Sequence, residues 1–268
     1  MKVLVVGASG FVGRALCDRL LAEGHHVDAW DRRGGASATG MQRLAVDLLG
    51  ATALPRPKQS TWDVAFHLAA HAVPGLSWTR SLVLENLAMT ARLMDHLAEH
   101  APGCLTILAS SGQVYAPSAE RLVEDAPIGP RQPYGLSKQL CETWALSKRD
   151  QLRIQVVRAF NQIGPGMAKG LLIPDLLEMA MTNETPLTMK GRNDWKDFLD
   201  CRDAIDAYML LMQTRAPSGS VWNLCSGQRT QVSVLVHAIL SELGAGREVR
   251  FASPLVETLV GDPSKLMG

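Results

Sequence analysis

Short apolar runs alternate with amphipathic stretches from the first residues of the chain. The runs 2–6 (KVLVV), 26–30 (HVDAW), 64–69 (VAFHLA), 105–110 (LTILAS) and 154–160 (IQVVRAF) have the length and apolar content of strands. Between them, 13–24, 85–100 and 134–150 repeat their apolar residues at helical spacing. Such alternation predicts a parallel sheet with helices on both faces. Val3 to Val6 are apolar without a break, as in a strand covered on both sides. Past residue 160 the pattern loosens. A helix is predicted over 173–182, another over 202–214, and a late strand of the same sheet over 220–225. The predicted class is therefore α/β: a doubly wound parallel sheet over 1–160, to which 203–225 returns. Segments 161–202 and 226–268 are expected to form a smaller C-terminal lobe.

Composition narrows the partners. Lysine and arginine number 27 against 26 acids, so no net field favours nucleic acid or an anionic membrane. No apolar run approaches the roughly 20 residues that span a bilayer. The opening MKVLVVGASG breaks into glycine too soon for a secretory signal. The five cysteines are scattered, odd in number and without a C-x-x-C pair, which predicts reduced thiols and a cytoplasmic protein.

The first candidate chemistry is VVGASGFVG, which sets Gly7, Gly10 and Gly13 after the first strand and into the first helix. One glycine permits the tight turn, one lets a pyrophosphate approach the backbone, and one lets helix and strand pack closely. The helix N-terminus adds free N–H groups and partial positive charge. A Rossmann-type dinucleotide site is predicted, with Gly7, Ser9, Gly10, Phe11, Val12 and Gly13 as cofactor contacts. A glycine triplet alone is a weak signal, and Asp31 at the end of the next strand strengthens it. A carboxylate there accepts hydrogen bonds from the adenosine ribose and favours NAD, because a 2′-phosphate would meet negative charge. Arg32 and Arg33 pull toward NADP, because a guanidinium pairs with that phosphate. NAD is the expected cofactor, with NADP as the alternative.

The second is YGLSK. Tyr134 and Lys138 lie four apart, on one face of a helix. A nearby ammonium and an oxidised nicotinamide both favour phenolate, so such a phenol can exchange a proton with a sugar oxygen. ASSGQVY, ending a strand at the carboxyl edge of the sheet, offers Ser111 to hold the same oxygen. Ala109 is expected beside the cofactor, and Ser110 is read as a neighbour bonded to backbone. A solvated tyrosine–lysine pair would explain YGLSK alone, but not the serines, the glycine turn and Asp31 in this order.

Taken together, GASGFVG, Asp31, VDL (46–48), FHLAA (66–70), Asn86, SSGQVY, PYGLSK and RAFNQIGPG (158–166) resemble the extended short-chain dehydrogenases/reductases, the NAD-dependent epimerase/dehydratase family. RAFNQIGPG, KDFLDCRDAIDAY and VWNLCSG are most similar to its GDP-4-keto-6-deoxy-mannose reductase branch. The resemblance implies that Ser111, Tyr134 and Lys138 are catalytic. It puts Asp47 and Leu48 beside the adenine, and Leu68, Ala69, Ala70 and Asn86 along the cofactor with Tyr134 and Lys138. Gln113, Asn161, Arg192 and Lys196 would meet the substrate. It also implies a homodimer built from the helices near 86–100 and 134–149. Two departures stand out. Dehydratases of the family carry a carboxylate just after the catalytic hydroxyl, where this chain has Gly112 and Gln113. Lys196 replaces an arginine, and lysine cannot make the bidentate fork to phosphate.

The expected function is NAD(P)-dependent oxidoreduction of a nucleotide-linked sugar, reducing a 4-keto-6-deoxy sugar. The alternatives are a nucleotide-sugar 4-epimerase and a non-catalytic cofactor-binding regulator. No metal is expected: His67 and His71 lack the glutamate of H-E-x-x-H and read as packing residues. His96 and His100 are expected on a solvated helix face. Met179, Met181, Met209 and Met212 fit helix packing. Trp195 either stacks on a base or sugar, or closes the small lobe's core.

Overall fold

In the computed structural model, Lys2–Val6 (β1) runs through the middle of a seven-stranded sheet. It pairs in parallel with His26–Asp31 (β2) on one side and Val64–His67 (β4) on the other. Met41–Ala45 (β3) lies outside β2, while Leu105–Ser111 (β5), Arg153–Ala159 (β6) and Ser220–Leu224 follow beyond β4, all parallel. The chain builds outward from β1 in one direction and then in the other. The resulting crevice at the carboxyl ends of β1 and β4 is where doubly wound sheets bind ligands. The structure describes residues 1–57, 61–72, 80–182, 186–253 and 257–268, with backbone alone at 190–192 and 252–253.

The apolar character of β1 on both faces explains its central place. Val3 and Val5 pack with Phe66, Ile107 and residues of Phe11–Ala22 (α1) and Cys201–Leu211 (α5), such as Leu16 and Ile205. Leu4 and Val6 point the other way, into a core shared with Arg80–His100 (α2) and Pro133–Leu146 (α3) through Leu93, Leu97 and Ala145. Each such fully buried aliphatic side chain contributes about 1.5–3 kcal/mol. A separate core joins Leu172–Ala180 (α4), Val232–Glu242 (α6) and the parallel strands Leu187–Arg192 and Val249–Ser253, through Leu176, Leu187, Val236 and Leu240. Asn161–Ile163 pairs with Phe198–Asp200 and ties this region to the end of β6.

Several expectations are corrected. Strand β4 stops at His67 rather than residue 69, because Leu68 to Ala70 turn across Gly7. β3 and α6 were not anticipated. His96 is not on a solvated face: its Nε2 lies 3.0 Å from the Pro55 carbonyl, and its ring sits 5.9 Å from Trp30 and 6.2 Å from Trp62. Met209 and Met212 are buried, whereas Met181 is 89% exposed and packs nothing. His67 is buried with Nε2 3.0 Å from Thr90 Oγ1. Burial, helped by the nearby Lys138 ammonium, drives its pKa down to about 3, so it is a neutral packing group. The five cysteines are all free and buried. Among the described residues no helix is long and apolar enough to cross a membrane, and no cluster suits a metal ion.

Candidate active site

Two cavities meet at the carboxyl edge of the sheet and share Leu68 and Ala70 as lining. The first follows the glycine turn and is walled by Gly7, Ser9, Gly10, Asp31, Arg32, Asp47, Leu48 and Ala69. Gly7 has φ +92°, and a Cβ there would fall 2.7 Å from the Ala69 nitrogen. Only glycine lets the 68–70 segment close over the turn. At Gly13 a Cβ would lie 2.2 Å from the Gly7 carbonyl oxygen, so this residue lets α1 approach β1. The backbone at the helix start, bare at Gly7 and Gly10, fits a dinucleotide pyrophosphate. Val12 lines the second cavity instead, and Phe11 and Gly13 line neither.

Asp31 stands on the wall of this cavity with its carboxylate already engaged. Its Oδ1 accepts the Arg33 and Gly34 N–H groups at 2.9 Å each, and its Oδ2 lies 3.2 Å from Arg43 Nη1. Asn86 also lines neither cavity. Its Oδ1 accepts the His71 N–H at 2.8 Å, and its Nδ2 donates to the His71 carbonyl and to Ser137 Oγ. It clamps His71, at the end of the segment that crosses the glycine turn, to α3 rather than lining the cleft.

The second cavity, of about 400 Å³, brings together Ala109, Ser111, Tyr134 and Lys138. Local sequence explains how. β5 ends at Ser111, whose Oγ accepts the Gln113 N–H at 3.2 Å. α3 starts with Pro133 at its first turn, a position that loses no hydrogen bond. At Gly135 a Cβ would sit 2.2 Å from the Gln113 carbonyl oxygen, so glycine lets the first turn of α3 close on the segment after Ser111. Tyr134 and Lys138 then face the cleft one turn apart. Lys138 is 4% exposed, donates to the Ala109 carbonyl at 2.7 Å and holds Nζ 5.8 Å from the Tyr134 ring centroid. A hydroxyl, a phenol and a fixed ammonium around one cavity form a set able to bind a carbonyl or alcohol oxygen and move a proton to or from it.

One turn beyond Lys138 on the same helix, Glu142 is buried against Arg158 of β6. Nε and Nη2 of the arginine lie 3.1 and 2.9 Å from the two carboxylate oxygens. Ser110 Oγ donates to Glu142 Oε1 at 2.5 Å, so this serine bonds a side chain and not the backbone expected for it.

The mouth of the cavity is lined by Gln113, Asn161 and Lys196. Asn161 Nδ2 donates to the Asp197 carbonyl at 2.9 Å, and Lys196 Nζ lies 3.8 Å from Asp194. The side chain of Arg192 lies outside the described residues. Gln113, Lys196 and Trp195 also line an adjoining space of about 370 Å³. Trp195 is thus at the cleft and not in the small core, its ring covered by the Arg229 guanidinium at 4.7 Å. Behind it, the buried Asp197 carboxylate accepts Ser226 N–H and Oγ–H and Gly227 N–H at 2.7–2.8 Å, and burial still pushes its pKa up. Sequence reasoning missed Tyr208. It is buried, lines the second cavity, and has its phenol pKa pushed up by burial. The one available signal was a single aromatic residue in the helix CRDAIDAYMLL.

Residues 3–225 match the NAD dependent epimerase/dehydratase family, and the chain belongs to it. It is 30% identical over 256 residues to GDP-6-deoxy-D-mannose reductase of Pseudomonas aeruginosa, covering 89% of this chain and 79% of that protein. It is 28% identical over 282 residues to UDP-glucose 4-epimerase of Mycolicibacterium smegmatis, covering 95% and 86%. Among solved structures it resembles MoeE5 in complex with UDP-glucuronic acid and NAD, with TM-score 0.85, 26% identity and coverage of 100% and 91%. It likewise resembles RMD from Pseudomonas aeruginosa complexed with NADPH, with TM-score 0.82, 26% identity and coverage of 99% and 90%.

Proposed function

We propose that the chain is an NAD(P)-dependent oxidoreductase of a nucleotide-linked sugar, and that it reduces a 4-keto-6-deoxy sugar. The observation that carries this reading is the meeting of Ser111, Tyr134 and Lys138 in a cavity that shares Leu68 and Ala70 with the glycine-turn cavity. A bound nicotinamide would supply the hydride that adds to the sugar C4. Ser111 donates its hydroxyl to the C4 oxygen and fixes it. Tyr134 gives its proton to that oxygen as the carbonyl becomes an alcohol, and Lys138 balances the charge left on the phenol and holds the nicotinamide ribose. The small lobe, 161–202 and 226–268, receives the nucleotide sugar with Gln113, Asn161, Lys196 and Arg192.

The residue after Ser111 separates this chemistry from dehydration. A Cβ at Gly112 would stand 2.9 Å from the Phe160 ring, so a carboxylate there would have to displace that ring, and Gln113 brings an uncharged amide. Similarity to a GDP-6-deoxy-D-mannose reductase supports the reductase reading, and similarity to a UDP-glucose 4-epimerase supports the competing one. Incubation with NADPH or NADH and GDP-4-keto-6-deoxy-mannose distinguishes them. The reductase oxidises one cofactor per sugar; interconversion of sugars without net oxidation would establish the epimerase. For the nucleotide, GDP should raise the melting temperature more than UDP, dTDP or CDP, because a ligand of the folded state stabilises it. A response to NAD(P)H with none to any of the four would remove the nucleotide from the substrate.

We also assign a homodimer through α2 and α3. Leu84, Leu136 and Trp144 are exposed on these helices, and Leu84 and Leu136 line one groove. Sedimentation at micromolar concentration should give a dimer; a monomer would remove the assignment.

A further inference from the structure

The adenosine end of the glycine-turn cavity carries a charge arrangement that its sequence conceals. Asp31 ends β2, where a carboxylate ordinarily selects the free ribose hydroxyls and repels a 2′-phosphate. Here that charge is met from behind. Arg43, on the neighbouring edge strand β3, sends Nη1 to within 3.2 Å of Asp31 Oδ2. The pair is enclosed, with the Asp31 side chain 4% exposed and that of Arg43 19%, so it is screened little by solvent. The other oxygen, Oδ1, already accepts two backbone N–H groups. A single acceptor position on Oδ2 is left for a ribose hydroxyl.

The turn between the strands is shaped around this pair. A Cβ at Gly35 would lie 2.7 Å from Arg43 Cδ, so glycine leaves the channel through which the arginine stem passes. The backbone that wraps Asp31 leaves Arg32 and Arg33 exposed on the cavity wall. The wall thus holds two acids, Asp31 and Asp47, against two arginines. Arg43 behind Asp31 tips the sum to positive. A phosphate on the ribose 2′-oxygen would meet neutralised Asp31 and two guanidinium groups able to pair with it.

We propose that this cavity is a 2′-phosphate subsite, that the chain binds NADP(H) in preference to NAD(H), and that Arg43 sets the preference by neutralising Asp31. The proposal rests on the reading of the glycine-turn cavity as the dinucleotide site. Trp30 lines the same cavity and gives a binding signal independent of turnover. Titrations followed by tryptophan fluorescence should show NADPH binding at least about tenfold tighter than NADH. Arg43→Met, which keeps the aliphatic stem, should cut that ratio about tenfold or more by weakening NADPH alone. A measurement needing no variant uses adenosine 2′,5′-bisphosphate and 5′-AMP, which differ only in the 2′-phosphate; the bisphosphate should bind tighter, and lose more affinity as salt rises. Tighter NADH binding by the unmodified protein, or an unchanged ratio in folded Arg43→Met, would overturn the proposal. Failure of all four ligands to bind would instead remove the dinucleotide reading beneath it.

Discussion

Tyr134→Phe is expected to lower turnover roughly 10²–10⁴-fold, the range by which a positioned general acid accelerates a reaction. The substitution is unusually clean here. The phenylalanine ring keeps the packing of the first turn of α3 and remains 5.8 Å from the Lys138 ammonium, which stays tethered to the Ala109 carbonyl. Only the hydroxyl is removed, so cofactor affinity and melting temperature should stay near those of the parent. Because the proton is delivered in the transition state, kcat and kcat/KM should fall together while substrate binding is retained. Turnover at the parent's rate would show that the proton comes from elsewhere and would leave Tyr134 a packing residue. A fall in cofactor affinity alone would place it in binding and not in chemistry.

What could be read from the sequence was whatever is local. The glycine turn, SSGQVY and PYGLSK each bring their own backbone geometry, and their order along alternating strands and helices fixes the edge of the sheet where they meet. β3 was invisible because MQRLA, on the outer edge, has no residue buried below the half-exposed range and so no alternation to detect. α6 had a signal: Val232, Val236 and Leu240 are buried at helical spacing. The apolar residues between them mask the period. Contacts between distant residues left no pattern at all. Arg43 beside Asp31 depends on a turn in which Gly35 makes room for the arginine, and the role of Gly112 depends on Phe160 arriving from the end of β6. The sequence shows that the dehydratase carboxylate is missing. The structure adds that one could not be installed at 112 without displacing an aromatic ring.

The other large effect lies behind the cleft. Glu142→Ala should destabilise the fold by about 3–5 kcal/mol, the cost of leaving a buried charge without its partner. Arg158 is 6% exposed, and its guanidinium faces the Tyr115 ring at 4.7 Å and donates to the Glu124 carbonyl at 2.9 Å. Neither contact replaces a carboxylate. The loss is a sizeable part of the roughly 5–15 kcal/mol that holds a domain together, and thermal unfolding should shift down on the order of 10 °C. The position of the pair joins stability to function. Glu142 follows Tyr134 and Lys138 on the cleft-facing side of α3, and through Arg158 and Ser110 it pins that helix to β6 and to the strand end that carries Ser111. Replacing both partners with apolar residues, Glu142→Leu with Arg158→Met, should recover most of the lost stability, since buried ion pairs give little over a well-packed apolar pair. If the double variant is no more stable than Glu142→Ala, the stabilisation comes from the Ser110 and Glu124 hydrogen bonds and not from charge pairing. A double variant that is stable yet slow would show that the pair keeps α3 in register with Ser111.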